Sequence, residues 1–459
     1  MNISDDKNII DQPILPTILR LSWPIIVGES MQLLYNLADT FWLGRLGPEF
    51  LAAITVSFPL IFVVFSVGIG FSISGVALVS QYTGAEQPEK ANLAAGQILS
   101  FGLMISVVLS IIGLIFGDSL LSLIGAEEEV LPLALQYFRI ITSGIPLIFL
   151  YFIFSAVMQG IGDTVTPMIL KSISVSANMI LDPLLIFGVW IFPMMEIQGA
   201  AVATIIARFG AAAYGMYLLF SGKKGLKLKP YHLKPDLEMI KKIVKIGVPA
   251  AVGDSGLAIA ISVMTSIVAH FGTFTLAAYG IANRITSMIR MPAIGFARAT
   301  GVIVGQHLGA DQSDQAGKTA WTGTGLTLGI MLIIAILLLF SAPYFVSVFT
   351  DEAAVIEIGS TYLKIVGFGF AFLGGQIVLG GALNGAGKTK AQTFFRLLTL
   401  WGLQIPLAYG FAHYLNWGAA GIWWGIFGAK FLGLLIQGLW FKRGTWKTKV
   451  IEDKVEDVA

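Results

Sequence analysis

The sequence predicts an all-α integral membrane protein: about twelve transmembrane helices in two six-helix lobes, related by a pseudo-twofold axis normal to the membrane. Three observations lead there. First, the chain has 459 residues, 56% of them hydrophobic and only 12% charged, with a mean hydropathy of +0.81. A soluble protein would carry about 25% charged residues. Second, the chain is written twice at a constant offset of 225 residues. Pro24, Gly28 and Ser30 recur as Pro249, Gly253 and Ser255, and Leu51-Ala52-Ala53 as Leu276-Ala277-Ala278. Gly70-Phe71 recurs as Gly295-Phe296, Gln81 and Gly84 as Gln306 and Gly309, and Gly160, Gly162 and Thr164 as Gly385, Gly387 and Thr389. After that the phase slips by six, so that Gly199-Ala200-Ala201 falls on Gly418-Ala419-Ala420. Third, the positive charges lie on one side of the spans.

Spans long enough for a bilayer core of about 30 Å are expected near 16–43, 50–82, 93–116, 130–159, 165–190 and 197–221 in the first half. The second half gives 238–270, 275–307, 318–341, 354–383, 390–412 and 418–441. Helices are required, because unpaired backbone groups cannot face lipid. Turn-like breaks separate them at Leu46-Gly47-Pro48, Gly84-Ala85-Glu86, Gly160-Ile161-Gly162-Asp163 and Gly385-Ala386-Gly387-Lys388. The expected organisation is an N-terminal lobe, 1–221, a basic cytoplasmic linker, 222–237, a C-terminal lobe, 238–441, and a cytoplasmic tail, 442–459.

Of the 29 Lys and Arg, one side of this arrangement holds Lys7, Arg20, Lys90, Lys318, Lys388, Lys390 and the tail's Lys442, Arg443, Lys447, Lys449 and Lys454. The linker and the start of span 7 add Lys223, Lys224, Lys227, Lys229, Lys234, Lys241, Lys242 and Lys245 to that side. The other side holds little besides Arg45, Arg139 and Lys364. Both termini are therefore expected in the cytoplasm. Positive-inside anchoring accounts for the linker; contact with anionic lipid is the other reading. The N-terminal segment Met1–Gln12 is polar and unlike a cleavable signal, so the first span is expected to act as its own.

A repeat of this size in an apolar chain marks a secondary transporter built from two halves around a central site. Polar residues inside the spans are the functional suspects. Span 1 carries Glu29, Gln32, Asn36 and Asp39, which at about 100° per residue share an arc of roughly 80°. Span 5 carries Ser174, Asn178 and Asp182 on one face, and span 6 carries Thr204. Counting along each helix puts Asp39, Asp182 and Thr204 in the outer half of one bundle. Shifted by 225, Asp39 falls on Met264, Asn178 on Leu403 and Asp182 on Leu407; shifted by 219, Thr204 falls on Trp423. The scaffold is duplicated and this cluster is not. Two carboxylates with amide and hydroxyl oxygens suit Na⁺ or a shared proton; a polar knot that fixes helix packing is the alternative.

Tyr35-Asn36-Leu37-Ala38-Asp39-Thr40-Phe41-Trp42 followed by Leu46-Gly47-Pro48 resembles the first-span signature of multidrug and toxic compound extrusion transporters. Gln159-Gly160-Ile161-Gly162-Asp163-Thr164 and Asn178-Met179-Ile180-Leu181-Asp182-Pro183 are similar to that family's fourth and fifth spans, and Ala282-Asn283-Arg284-Ile285 with Val304-Gly305-Gln306-His307-Leu308-Gly309-Ala310 to its eighth. The resemblance covers nearly the whole chain and is greatest to the DNA-damage-inducible-F-like branch, including archaeal members. It implies an antiporter that exports small amphipathic organic compounds in exchange for H⁺ or Na⁺, as a monomer in the plasma membrane. Asp39, Asn178, Asp182 and Thr204 would form the cation site, which would hold the metal if sodium is the ion. Tyr35, Asn36, Gln32, Glu29, Asp254 and Arg284 would line the cavity or act in the conformational cycle, and Pro24 would mark where the first span bends. Acids that other branches carry in spans 7 and 10 are absent here except Asp254, the repeat partner of Glu29. That pair reads either as structural or as cavity-lining.

Membrane-depth cations are many: Arg208, Arg284, Arg290, Arg298 and Lys430, with Lys171 and Arg396 as repeat partners. They snorkel or neutralise Glu29 and Asp254, or else make part of the cavity positive and suited to an anionic or zwitterionic solute. A flippase for lipids or lipid-linked precursors is a further alternative. Gly385-Ala386-Gly387-Lys388-Thr389 imitates a nucleotide-binding loop, but the leading Gly would be residue 382, which is Ala. No ATP use is expected, and no cofactor beyond the coupling ion. His232, His270, His307 and His413 have no metal spacing, there is no Cys, and no basic tract points to nucleic acid. No catalytic constellation is expected, so the chain does not read as an enzyme.

Overall fold

A computed structural model describes residues 9–125 and 127–451. Lys7, Lys454 and the outer parts of the polar N-terminus and tail lie outside them. Among the described residues the chain is helical throughout, and the helices fall into twelve successive segments. In the first half these are α1 (Ile14–Gly44), α2 (Pro48–Gly84), α3 (Pro88–Leu123), α4 (Leu131–Ser143) with α5 (Ile145–Gly160), α6 (Val165–Phe187) and α7 (Glu196–Ser221). The second half has α8 (Leu237–Ala269), α9 (Thr273–Gly309), α10 (Ser313–Ser347), α11 (Ala353–Gly385), α12 (Thr389–Leu397) with α13 (Ile405–His413), and α14 (Gly418–Lys442). Eight of the described helices are long and apolar enough to cross a membrane on length and composition, and nine if α4 and α5 form one span bent by 48°. The bend sits at Gly144-Ile145-Pro146, where proline withholds an N–H from the helical ladder. The segments that fall short have local reasons. α1 carries the polar stripe, α9 carries three arginines, and α12 and α13 are separated by a π-helical stretch, Leu398–Gln404.

Helix bounds repeat the sequence offset: α2 and α9 begin at residues 48 and 273 and end at 84 and 309. The π stretch then changes the register. Bonding from i to i+5 takes up about one more residue per turn than an α-helix does, and Pro406, which cannot donate, lies two residues beyond it. Packing reveals the slip. A Cβ on Gly199 would meet the backbone of Leu185 at 2.6 Å, and one on Gly421 would meet the backbone of Phe411 at 2.6 Å. These two close approaches are one contact made twice, which pairs Leu185 with Phe411 and Gly199 with Gly421. Beyond the π stretch, therefore, Asp182 answers to Ala408 rather than Leu407, and Thr204 to Ile426 rather than Trp423. The replacements are still apolar and buried.

The helices gather into two compact units, one comprising Val27–Ala251, the other running from Val252 onward together with the chain up to Ile26. These units differ from the expected lobes, 1–221 and 238–441, in one respect: each takes in the first half of the other's leading helix, so that the first halves of α1 and α8 are exchanged. In one unit Gly70 of α2 abuts α8, where an added Cβ would stand 2.4 Å from the Gly247 oxygen. Its repeat partner Gly295 of α9 abuts α1, 2.4 Å from Ile26 and 3.2 Å from the Ser22 oxygen. Each exchange ends two residues after Pro24 or Pro249, although α1 and α8 run on as helices through those prolines.

Within the first of these units α3 grips the linker. Gln97 Nε2 donates to the carbonyls of His232 (2.7 Å) and Lys234 (2.6 Å), and its Oε1 accepts from Asp236 N at 2.9 Å. Asn92 Oδ1 accepts from Lys227 N at 2.9 Å, and Glu89 contacts His232 Nε2 at 3.1 Å. Lys224 and Lys229 pair with Asp163 and Glu89. Part of the linker's basic charge is thus engaged by protein.

Candidate functional site: a polar cluster on α1, α6 and α7

The cluster lies wholly inside Val27–Ala251. On α6 the four-residue spacing puts Asn178 one turn below Asp182, and Asn178 Nδ2 donates to Asp182 Oδ1 at 3.0 Å. The same amide reaches Thr204 Oγ1 on α7 at 3.4 Å. Thr204 donates its only hydroxyl proton to the Ala200 carbonyl at 3.0 Å. Tyr35 OH, 3.0 Å from Thr204 Oγ1, must therefore be the donor of that contact. α1 thus enters through Tyr35, and one turn on brings Asp39 within electrostatic reach of Tyr35 and Asp182.

With these bonds assigned, the donors are exhausted and acceptors remain. Asp39 Oδ1, Asn178 Oδ1 and Asp182 Oδ2 are buried with no hydrogen-bond partner. Buried polar atoms in folded proteins nearly always find partners, so three such oxygens in one cluster can take up a proton, accept from a water or hold a cation. Asp39, Asn178, Asp182 and Thr204 supply hard oxygen ligands of the kind Na⁺ takes, and the carboxylates equally accept a proton. A cavity of about 10 Å³, room for one water, adjoins them, lined by Tyr35, Ser174, Asn178, Thr204 and Arg208 among others.

The remaining expected residues fall elsewhere. Gln32 Oε1 accepts from Arg208 at 2.9 Å, and Gln32 Nε2 reaches the exposed Asn36 at 3.4 Å, so both continue the stripe below Tyr35. Glu29 forms an ion pair with Lys171 of α6 at 3.2 Å. Asp254 pairs with Arg396 of α12. These pairs are one bridge made twice, since 29 and 171 shift by 225 onto 254 and 396. Pro24, Asp254 and Arg284 belong to the other unit, where Arg284 is exposed on α9. One neighbour of the cluster was not expected: Tyr137 of α4, buried and within electrostatic reach of Asp39 and Asp182. It recurs as Tyr362, so comparison of the halves files it with the scaffold. Arg208 was anticipated only as a membrane-depth cation.

Known proteins share this fold and its internal repeat. The MatE family model matches residues 24–184 and again 249–410, so the second match starts 225 residues after the first and ends 226 after it, on either side of the π slip. The chain is 29% identical over 432 residues to the probable multidrug resistance protein YoeA of Bacillus subtilis, covering 93% of each. It is 29% identical over 406 residues to the FAD transporter of Shewanella oneidensis, covering 88% of this chain and 90% of that one. The outward-facing structure of a multidrug resistance MATE family transporter of the MOP superfamily superposes with a TM-score of 0.90 at 25% identity, over 96% of this chain and 99% of that one. A MOP superfamily transporter from Pyrococcus furiosus, described as having a binding pocket of reverse polarity, superposes with a TM-score of 0.89 at 25% identity over the same shares. With its two six-segment halves both matched by one model, the chain belongs to the MatE family of multi-pass membrane transporters and is not an enzyme.

Proposed function

We propose that this protein is a secondary antiporter that exports small amphipathic organic compounds in exchange for Na⁺ or H⁺. The observation that carries the reading is the trio of unpartnered buried oxygens on Asp39, Asn178 and Asp182. The entering cation binds there, with Asp39 and Asp182 as its carboxylates and Thr204 completing the set. Binding favours one state of an alternating-access cycle and substrate favours the other; the cation shifts that equilibrium only by its differential affinity for the two states. Tyr35, Tyr137, Gln32 and Arg208 orient the site. The duplicated Glu29–Lys171 and Asp254–Arg396 pairs brace α1 on α6 and α8 on α12, and Pro24 supplies the flexible point of α1. The protein works as a monomer in the plasma membrane with both termini cytoplasmic, uses no ATP or other cofactor, and belongs to the DNA-damage-inducible-F-like branch.

Proteoliposomes test this directly. Dye efflux is expected under a Na⁺ or a pH gradient, and Asp39→Asn is expected to abolish it while leaving unfolding in detergent unchanged. Normal gradient-driven efflux by that variant would end the assignment.

A second reading is export of an anionic metabolite. It is favoured by the excess of membrane-depth cations over acids from Val252 onward, and by the FAD transporter of Shewanella oneidensis among the relatives, whose named substrate is itself an anion. Headgroup translocation in liposomes would separate both readings from a lipid flippase.

A further inference from the structure

Lys430 lies midway along α14 and is only 6% exposed. Its ammonium stands over the Phe370 ring of α11, 3.8 Å from the centroid. It makes no hydrogen bond or ion pair with any described residue, and the one charged group near enough to influence it is another cation, Arg290 of α9. Arg290 is half-buried, and besides Lys430 the charged or titratable groups within electrostatic reach of it are Tyr279, Tyr362 and Arg396. The nearby carboxylate, Asp254, is already taken by Arg396.

The repeat sharpens the anomaly. In the register set by Gly199 and Gly421, Lys430 answers to Arg208 of α7. Arg208 has a hydrogen-bond acceptor, Gln32 at 2.9 Å, and stands over Tyr151 at 5.7 Å. Lys430 keeps only the ring contact. A ring face offsets part of the cost of an enclosed ammonium but occupies none of its three N–H donors in line. Two cations set near each other in an apolar interior, with no acid to share, are relieved when the lysine gives up its proton or when an anion comes between them, and only the anion keeps both charges.

We infer that Lys430 and Arg290 form a binding subsite for an organic anion: a carboxylate or phosphate carried on an apolar, preferably aromatic, body. The charged group sits between the ammonium and the guanidinium. The body lies beside Phe370, whose ring already faces the ammonium. The subsite deepens the second reading above by naming where the anion binds. It is independent of which ion couples at Asp39.

The test is isothermal titration of the purified full-length protein with 2-naphthoate, its uncharged methyl ester and inorganic phosphate. Naphthoate is expected to bind saturably, at least tenfold more tightly than the ester, and Lys430→Met to weaken it at least tenfold while melting no earlier than wild type. Arg290→Gln should weaken it as well. Retention of naphthoate affinity by a folded Lys430→Met protein would overturn the subsite yet leave anion export standing. Failure of wild type to bind naphthoate or phosphate would overturn both. Binding of phosphate as tight as naphthoate would refute the apolar-body part of the assignment.

Discussion

The bundle of α1, α6 and α7 and its repeat counterpart, α8, α12–α13 and α14, share a backbone plan and oppose each other in chemistry. The first encloses Asp39, Asn178, Asp182 and Thr204 with oxygens that lack partners. At the corresponding places the second has Met264, Ala408 and Ile426, all buried in one apolar cluster. Where the first places Tyr137 beside carboxylates, the second stacks Tyr279 on Trp423 (5.8 Å, interplanar angle 9°) and sets Tyr362 edge-on to Trp423 at 4.8 Å. Duplication kept what backbone packing needs: the glycines at close approaches, the prolines, and the acid–base brace. It did not keep the polar cluster, because an aromatic core meets the same packing demand without burying charge.

The contrast can be broken most severely at the carboxylates. Asp182→Asn, like Asp39→Asn, is expected to abolish gradient-driven efflux, whereas Met264→Asn in the second bundle should leave the coupling ion unchanged; equal loss of coupling in both would show the cluster to be ordinary packing. Stability should run the opposite way. Trp423→Ala removes a buried stack and is expected to cost about 3–5 kcal/mol. Asp182→Asn retains an acceptor for Asn178 and should cost less than about 1 kcal/mol, both read from unfolding in detergent. The exchanged helix halves allow a finer comparison. Gly70→Ala drives a methyl into a backbone carbonyl, while Gly295→Ala meets mainly the Ile26 side chain, which can move. A loss of about 1–3 kcal/mol is expected for the first and less for the second.

The smallest effect is at the linker. The hydrogen bond from His232, helped by Lys229 and Tyr231, holds Glu89 below its ordinary value of 4.5. A depressed carboxyl stabilises the fold above its unfolded value, and that contribution fades as pH falls through the lower folded value. Proteolysis of residues 226–236 should therefore accelerate below about pH 4.5, and Glu89→Gln should flatten the change. An unaltered profile in that variant would assign the acid sensitivity to another group.

Much of this was legible because in a membrane the constraints are severe. Twelve segments follow from apolar length and from the duty of every lipid-facing backbone group to bond within its own helix. The polar cluster was legible because α1 and α6 carry their polar residues at helical spacing, and because the second half lacks them. Tyr137 was not, since its recurrence as Tyr362 disguises a residue that serves the site in one half and the core in the other. The role of Glu29 was open until α6 supplied Lys171 beside it.

By itself, then, the sequence determined the environment, the helices, the repeat and the residues that break it, all matters of local periodicity and of comparison along one chain. Only the tertiary structure decided which helix halves are exchanged, how the π stretch shifts the register by one residue, and which polar atoms are left without partners. Those depend on contacts between segments distant in the chain. A lysine on α14 looks like any other membrane cation until α9 and α11 are packed against it and offer an arginine and a phenylalanine but no acid.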